Sequence, residues 1–320
     1  MQSHSFIRFV SAVGLAAAAV VAVAQEKYPS RPVEFIVPWG AGGGADQLAR
    51  KLARLVEPEL KVSLPVLNVP GATGGTGLTK MLSSPADGYA ISIYIADTHA
   101  LLATSNPRWK ASDFIALGIM IRQPSALFVK ADSPFKTWAD VVKAAKDKPG
   151  ALKVAILGFG SVDDMALKYM EQKGIRLAGV PYAKPGERYT AILGGHTDLL
   201  YEQPGDVRSF LDSKQMRAIL IFNRDRVLPD FADVASSREV GLEVYLPQFR
   251  SVVVRAGTDP QRVKALADAI AKAADDPEYY GFLKQSLALR DSFIPAKDAT
   301  RFLEGELAAL QKFAAALQKK

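Results

Sequence analysis

The chain has 320 residues, of which 49% are hydrophobic and 23% are charged, an ordinary globular composition with ample length for two medium-sized domains. It contains no cysteine, which excludes disulfides, thiolate metal sites, a cysteine nucleophile and a lipid anchor on cysteine. The formal net charge of +7 is a modest excess that suits an anionic small ligand. The basic residues are not interleaved with aromatic residues, so we expect no nucleic-acid partner.

The first 24 residues have the pattern of a secretory signal peptide. Arg8 supplies the positive charge, residues 9–21 form an apolar core, and Ala22-Val23-Ala24 is a small-residue cleavage site. The apolar core is too short and too rich in alanine for a good membrane span. The sequence therefore predicts a cleaved signal peptide at 1–24 and a soluble, exported mature chain.

Short apolar runs then alternate with amphipathic stretches. The first series of runs predicts strands at 33–37, 64–67, 89–95 and 115–121, with helices between them. The pattern restarts after Gln123-Pro124-Ser125 and predicts a second series of strands, at 126–129, 153–157, 179–182, 199–201 and 216–222. Strands that alternate with helices are typical of parallel sheets joined by right-handed crossovers.

The last quarter of the chain is predicted to be helical. One helix spans 260–274 and begins with proline in its first turn, and a final helix spans 296–318. The apolar stripe of the final helix is expected to pack on a sheet. The chain order thus predicts an α/β fold of two lobes with a ligand cleft between them. Lobe 1 would comprise 25–122 plus 246–320 and lobe 2 would comprise 123–245.

A glycine-rich loop follows the first predicted strand. Its residues Trp39-Gly40-Ala41-Gly42-Gly43-Gly44-Ala45-Asp46 lead into a helix whose first amides lack internal partners. Such a loop lets an anion approach the amides, so it predicts a phosphate or carboxylate site; the alternative is a tight connection in which Asp46 caps the helix. A phosphate-binding P-loop would end in Gly-Lys-Ser/Thr, and that ending is absent here. Gly40, Gly42 and Ala45 match the dinucleotide fingerprint G-x-G-x-x-G/A, but the acidic residue that should follow about 20 positions later is missing, so we expect no cofactor.

A second glycine loop opens the helix that follows the strand at 153–157. It contains Gly160, Ser161 and Val162, and Asp163 and Asp164 follow in the first turn. Carboxylates at a helix start are explained by capping alone. If the two aspartates instead line the cleft, they would accept hydrogen bonds from ligand hydroxyls or amines, or hold a water or a cation.

Other side chains are placed near the cleft by their position after strands. Trp39 either borders the cleft or is a core aromatic residue. Further candidates end strands on the side where open α/β sheets bind ligands, and they are Asp97, Thr98, Tyr182 and Glu202.

A catalytic constellation is not visible in the sequence. The mature chain has two histidines, His99 and His196, which are interpreted as structural and turn residues, and their spacing predicts no metal site. Ser161 is not in the G-x-S-x-G elbow of a hydrolase. We therefore expect a protein that is not an enzyme. The alternative is a secreted hydrolase that uses Ser161 or Asp163.

The sequence resembles the periplasmic solute-binding receptors of tripartite tricarboxylate transporters, the Bug-type receptors. The matching motifs extend from residue 28 nearly to the C-terminus, and their order and spacing carry the resemblance. They are Tyr28-Pro29-Ser30-Arg31-Pro32, Val37-Pro38-Trp39, Gly42-Gly43-Gly44-Ala45-Asp46, Asn68-Val69-Pro70-Gly71-Ala72, Asp87-Gly88-Tyr89, Val180-Pro181-Tyr182, Leu193-Gly194-Gly195-His196-Thr197-Asp198 and Leu228-Pro229-Asp230.

This resemblance implies a two-lobed periplasmic receptor that closes on a small carboxylate and passes it to membrane transporter subunits. We also expect a monomer and no cofactor. The resemblance also implies that the two glycine loops, residues 39–46 and 160–164, hold the ligand. The chain departs from the family pattern at Trp39-Gly40-Ala41, at Thr73 and at 161–164, so the ligand's identity stays open. A role as the sensor of a membrane signalling partner is the alternative function.

Overall fold

A computed structural model describes residues 27–227 and 229–318, and the predicted signal peptide lies outside these residues. The described chain forms two β-sheets with helices packed on them, as the α/β pattern predicts. No helix within these residues is long and apolar enough to cross a membrane. The strands in chain order are β1 (Glu34–Val37), β2 (Val66–Asn68), β3 (Ala90–Ile95), β4 (Phe114–Gln123), β5 (Ala126–Lys130), β6 (Lys153–Ile156), β7 (Ala178–Pro181), β8 (Leu199–Glu202), β9 (Met216–Ile221), β10 (Gln248–Arg255) and β11 (Ile294–Pro295).

The two helices whose bounds were predicted, at 260–274 and 296–318, lie at those positions. The final helix has the predicted bounds because its apolar stripe is long and regular. The helices in chain order are α1 (Gly44–Leu60), α2 (Gly75–Ser83), α3 (Ala96–Thr104), α4 (Trp138–Asp147), α5 (Val162–Gln172), α6 (Pro185–Leu193), α7 (Arg208–Asp212), α8 (Pro260–Ala274), α9 (Pro277–Gln285) and α10 (Ala296–Gln318).

The first sheet has the strand order β11-β4-β10-β3-β1-β2, and we call it, with its helices, the first lobe. β1 pairs in parallel with β2 and β3, as the sequence pattern predicts. β10 runs antiparallel between β3 and β4, and Gln248 at its start lies opposite Gln123 at the end of β4. β10 is antiparallel because it brings the chain back into the sheet at the point where β4 leaves it.

The prediction that the last quarter is helical is wrong at β10. This strand lies in the middle of the first sheet, and Gln248 to Val254 are buried. Its apolar run is only three residues long, Val252 to Val254, and polar residues precede it. Those polar residues are buried where the chain crosses between lobes, which the sequence pattern does not reveal.

The second sheet has the strand order β7-β6-β8-β5-β9, and we call it, with its helices, the second lobe. β6 pairs in parallel with β7 and β8, whereas β5 pairs antiparallel with β8 and β9. The chain crosses between the lobes in two segments, 124–125 and 222–247. Both loops that the sequence singled out follow strands of these sheets, β1 in the first lobe and β6 in the second.

Helix α10 covers the first lobe and reaches the second. It packs on β4 and α3, and its stripe residues Leu303, Leu310 and Ala314 are buried. Near its end, Leu317 accepts a hydrogen bond from Gln172 of α5 at 2.9 Å. The C-terminal helix therefore connects the two lobes on the side of α3 and α5.

Candidate ligand site

The first glycine loop passes directly from β1 into α1. Gly43 precedes the helix in an extended conformation and has no side chain to bond the first helical amides. Asp46 accepts hydrogen bonds from the Gly42 N–H and from Arg50 Nε, both at 3.0 Å. Burial raises the pKa of Asp46, but these bonds outweigh burial and hold its pKa below the ordinary value. Asp46 thus closes the loop, and it does not cap the first amides of α1 with its side chain.

The same loop lies against the second lobe. A Cβ added at Gly40 would come within 3.1 Å of Pro185 Cδ, and one added at Gly43 would overlap Pro185 Cγ. The adjacent Ala41 and Gly42 are exposed. Glycine at 40 and 43 is therefore what allows the two lobes to meet here.

The second glycine loop repeats the construction of the first. The Gly160 N–H donates to Asp164 Oδ2 at 2.9 Å, and Lys168 lies 2.7 Å from the same oxygen. Ser161 caps α5, because its Oγ accepts a hydrogen bond from the Asp164 N–H at 3.2 Å. Gly160 has φ +77°, a left-handed conformation that favours glycine. Asp164 and Ser161 are thus engaged in shaping the start of α5.

A carboxylate of the first lobe occupies the start of α5. Asp97 Oδ1 accepts a hydrogen bond from the Val162 N–H at 3.1 Å, and Asp97 Oδ2 accepts one from Gln248 Nε2 at 2.8 Å. β3 ends at Ile95, so Asp97 lies in the first turn of α3 rather than at the end of a strand. Burial raises the pKa of Asp97 to about 6, although both hydrogen bonds oppose the rise.

Asp163 is fully buried and only half satisfied. Its Oδ2 accepts a hydrogen bond from the Leu157 N–H at 2.9 Å, whereas its Oδ1 has no partner. Burial, followed by the charge of Asp97, raises its pKa well above the ordinary value. Buried polar atoms in proteins are nearly always hydrogen-bonded, so this free oxygen marks a position for a further group.

Arg188 of α6 faces the same region. It forms a buried ion pair with Glu202 at the end of β8, and Glu202 also accepts a hydrogen bond from the Tyr189 hydroxyl at 3.1 Å. The Nε and Nη1 atoms of Arg188 have no hydrogen-bond partner. Burial disfavours the charged guanidinium, but the interactions of Arg188 with Glu202, Tyr189 and Asp163 together outweigh burial and raise its pKa.

A second buried ion pair joins the lobes. Arg250 of β10 pairs with Asp206, which follows β8 in a 3₁₀ turn at Pro204–Val207. Arg250 Nη2 also bonds Gln203 Oε1 at 3.2 Å. The Asp206 carboxylate lies against Gly44 at the start of α1. Each lobe therefore places a carboxylate at the start of the helix that follows the other lobe's glycine loop.

Gln123 and Tyr201 extend the polar region along the ends of the strands. Gln123 lies opposite Gln248 in the antiparallel pair, so their side chains share a face, yet neither amide atom of Gln123 has a partner. The Tyr201 hydroxyl lies near Ser125 but makes no hydrogen bond of good geometry. Gln123 and Gln248 also line an open cavity of about 610 Å³ between the two crossing segments.

The remaining candidates from the sequence lie around this region. Trp39 is 3% exposed in the apolar core of the first lobe, and its Nε1 has no partner. Thr98 is buried and donates to the Thr73 carbonyl at 3.1 Å. Tyr182 is half-buried and packs on the apolar cluster of the second lobe.

The histidines have structural surroundings. The His99 ring bonds the Tyr94 hydroxyl and the Leu303 carbonyl, both at 2.9 Å, and burial lowers its pKa to about 4. His196 is exposed in the turn after α6. In the described part of the chain, no three side chains of metal-binding type come together.

Sequence reasoning missed several residues of the buried polar region. Arg188 carried a visible signal, because it precedes Tyr189 and lies four positions before Ile192 on the buried face of α6. The others gave no signal, since their burial depends on how two distant parts of the chain meet. The missed residues are Gln123, Arg188, Tyr201, Gln203, Asp206, Gln248 and Arg250.

Comparisons with known proteins place the chain in a family. It is 29% identical over 283 residues to the "UPF0065 protein in gbd 5'region" of Cupriavidus necator, a match that covers 88% of this chain and 84% of that protein. The solved structure of the periplasmic binding protein BugD matches with a TM-score of 0.84 and 23% identity, over 91% of this chain and 98% of that one. MatC (Rpa3494) from Rhodopseudomonas palustris, with bound malate, matches with a TM-score of 0.82 and 22% identity, over 90% of this chain and all of that one.

The family model described as "Tripartite tricarboxylate transporter family receptor" matches residues 48–317, which is most of the sequence. The chain therefore belongs to the receptor family of the tripartite tricarboxylate transporters.

Proposed function

We propose that the protein is a periplasmic receptor that captures a small carboxylate between its lobes and delivers it to a tripartite tricarboxylate-type membrane transporter. Family membership supports the receptor role and the transporter partner. MatC, which has the same fold, carries malate, a small carboxylate.

One observation carries the proposal on this chain. Arg188 is 3% exposed, it lies between the lobes, and its Nε and Nη1 have no partner in the protein. A hydrogen bond between charged groups contributes about 1.5–3 kcal/mol. The two free donors of Arg188 and the first amides of α1 would together support binding near micromolar, about −8 kcal/mol, after the cost of closing the lobes.

The proposal assigns the protein no catalytic step. Ser161 Oγ accepts from the Asp164 N–H, and the His99 ring is bonded to Tyr94 and Leu303. A serine hydrolase needs its serine hydroxyl bonded to the base. Capping explains Ser161 without a reaction.

A thermal-shift screen tests the proposal on residues 25–320. The panel holds mono-, di- and tricarboxylates, aromatic acids, amino acids and nicotinamide compounds. A ligand at about 1,000 times its Kd adds roughly 4 kcal/mol to the free energy of unfolding, which raises Tm by several degrees. We expect such a rise with one class of carboxylate. A rise with none of them, or with a nucleotide alone, contradicts the proposal.

Delivery to a transporter is tested separately by deletion of the membrane components. Loss of uptake of the bound carboxylate supports transport. Unchanged uptake together with a lost transcriptional response to the carboxylate would support a sensory role instead.

A further inference from the structure

The buried charges between the lobes do not balance. Arg188 pairs with Glu202, and Arg250 pairs with Asp206. Asp97 and Asp163 lie beside these pairs without a basic partner of their own, and the hydrogen bonds they accept come from neutral donors. Four carboxylates thus face two guanidinium groups, and none of these side chains is more than 6% exposed.

Among these carboxylates, Asp163 has a buried oxygen without a hydrogen-bond partner. Its surroundings are Asp97 from α3, Arg188 from α6 and Glu202 from β8, so two of three charged neighbours repel a carboxylate. A proton on Asp163 would remove its own charge but would still leave three carboxylates against two guanidinium groups, and the Tyr201 hydroxyl, which interacts with Asp163 and also lacks a partner, is a neutral donor. A donor that carries positive charge satisfies both the free oxygen and the charge imbalance.

The positive donor is not supplied by a metal ion within the described residues, because no group of three metal-binding side chains forms there. Arg188 carries free positive donors but does not hydrogen-bond Asp163, so a ligand nitrogen is the source that fits. Arg188 presents free Nε–H and Nη1–H donors close enough to Asp163 to interact electrostatically with it, so one small molecule can reach both side chains.

We infer that the ligand carries a protonated amine as well as a carboxylate, with the amine on Asp163 and the carboxylate on Arg188. This inference rests on the proposed receptor function and narrows its substrate class to amino acids and related aminocarboxylates. An amine-free dicarboxylate would add two negative charges to a site that already has an excess of them, whereas an aminocarboxylate with one carboxylate adds none.

The test uses ligand pairs that differ by one amino group, measured by calorimetric titration of the mature protein at neutral pH. The pairs are succinate with aspartate, glutarate with glutamate, and butyrate with 4-aminobutyrate. We expect the amine-bearing member of at least one pair to bind at least about tenfold more tightly than its partner. Equal or tighter binding of the amine-free members in all pairs overturns the inference and leaves the receptor proposal standing.

The Asp163→Asn variant tests whether Asp163 causes the preference for amine-bearing ligands. Asparagine keeps an oxygen for the Leu157 N–H but lacks the charge, so the preference for the amine should fall at least about tenfold. Asp140→Asn is the control, because Asp140 lies in the first turn of α4, half-buried and away from the cluster. An unchanged preference in Asp163→Asn overturns the assignment. Binding by neither series overturns this inference, and the thermal-shift panel decides the receptor proposal separately.

Discussion

Asp97 of the first lobe accepts a hydrogen bond from the backbone N–H of Val162, the first residue of α5 in the second lobe, at 3.1 Å. The start of a helix carries partial positive charge, so a carboxylate there is stabilised. The protein therefore supplies an anion for α5 from its own chain. At the start of α1 the Asp206 carboxylate of the second lobe lies against Gly44, so a ligand carboxylate that binds these amides would take the place of Asp206.

The burial of Asp97 predicts a specific dependence of stability on pH. A folded-state pKa of about 6 lies above the ordinary value of 3.8, so the folded protein binds more protons than the unfolded chain between these pH values. Stability from Asp97 is therefore present at low pH and is lost as pH rises through about 6. The charged groups that face Asp97 are Arg188 and Glu202, with Asp163 beside it.

The difference between wild type and Asp97→Asn isolates this dependence. His99 has a lowered pKa of about 4 and acts in the opposite direction, but it is present in both proteins. Urea unfolding from pH 4 to 7 should show the wild type losing stability relative to the variant, by on the order of 3 kcal/mol. A difference that is constant across this range would show that Asp97 keeps an ordinary pKa.

Gly43→Val should abolish ligand binding. A Cβ at this position overlaps Pro185 Cγ of the second lobe, so the lobes cannot close. The φ of Gly43 is −82°, which valine adopts readily, so the variant should fold. Calorimetric titration measures the loss, and Gly186→Val is the control because a Cβ at Gly186 meets nothing within 4 Å. Unchanged affinity in Gly43→Val would remove this loop from the site.

Arg250→Leu should favour an open arrangement of the lobes. Removal of one partner from a buried ion pair costs about 3–5 kcal/mol, and opening relieves that cost because Asp206 then meets water. We expect at least about tenfold weaker ligand binding and a larger radius of gyration in X-ray scattering. Arg208→Leu is the control, since its ion pair with Asp212 is exposed and lies within one lobe. Equal compactness of both variants would show that the Arg250 pair does not hold the lobes together.

Ser161→Ala should behave as the loss of a helix cap. Removal of a capping hydroxyl costs roughly 1 kcal/mol of unfolding free energy. Thr137→Ala provides the comparison, because Thr137 caps α4 through the Asp140 N–H. We expect urea unfolding to show similar losses of unfolding free energy for Ser161→Ala and Thr137→Ala. A much larger loss for Ser161, or any ester hydrolysis that disappears with it, would revive the hydrolase alternative.

The alternation of apolar runs and helical stripes predicted most of the fold. α10 was predicted from its stripe, and α8 from Pro260 at its start. β10 was missed because Gln248 and Arg250 are polar in sequence and become buried only when the chain returns from the second lobe. A pattern read along one chain does not show burial that two distant segments create together.

Some residues of the candidate site could likewise be predicted from the sequence, and others could not. Glycines 40 and 43 were visible because a close backbone approach needs residues without a side chain. The roles of Asp46 and Asp164 depend on Gly42 and Gly160, which the sequence places within four residues. Gln123 is brought to the cleft by the crossing segment, so local patterns do not mark it, whereas Arg188 is marked only by its place beside Tyr189 on the buried face of α6.

A crystal structure of the protein with the carboxylate that raises its Tm most tests the central claim directly. We expect the ligand between the lobes, with its carboxylate within hydrogen-bond distance of Arg188 Nε or of the first amides of α1. A ligand bound elsewhere, such as in the open cavity of about 790 Å³ beside Arg208 and Phe282, would contradict the account.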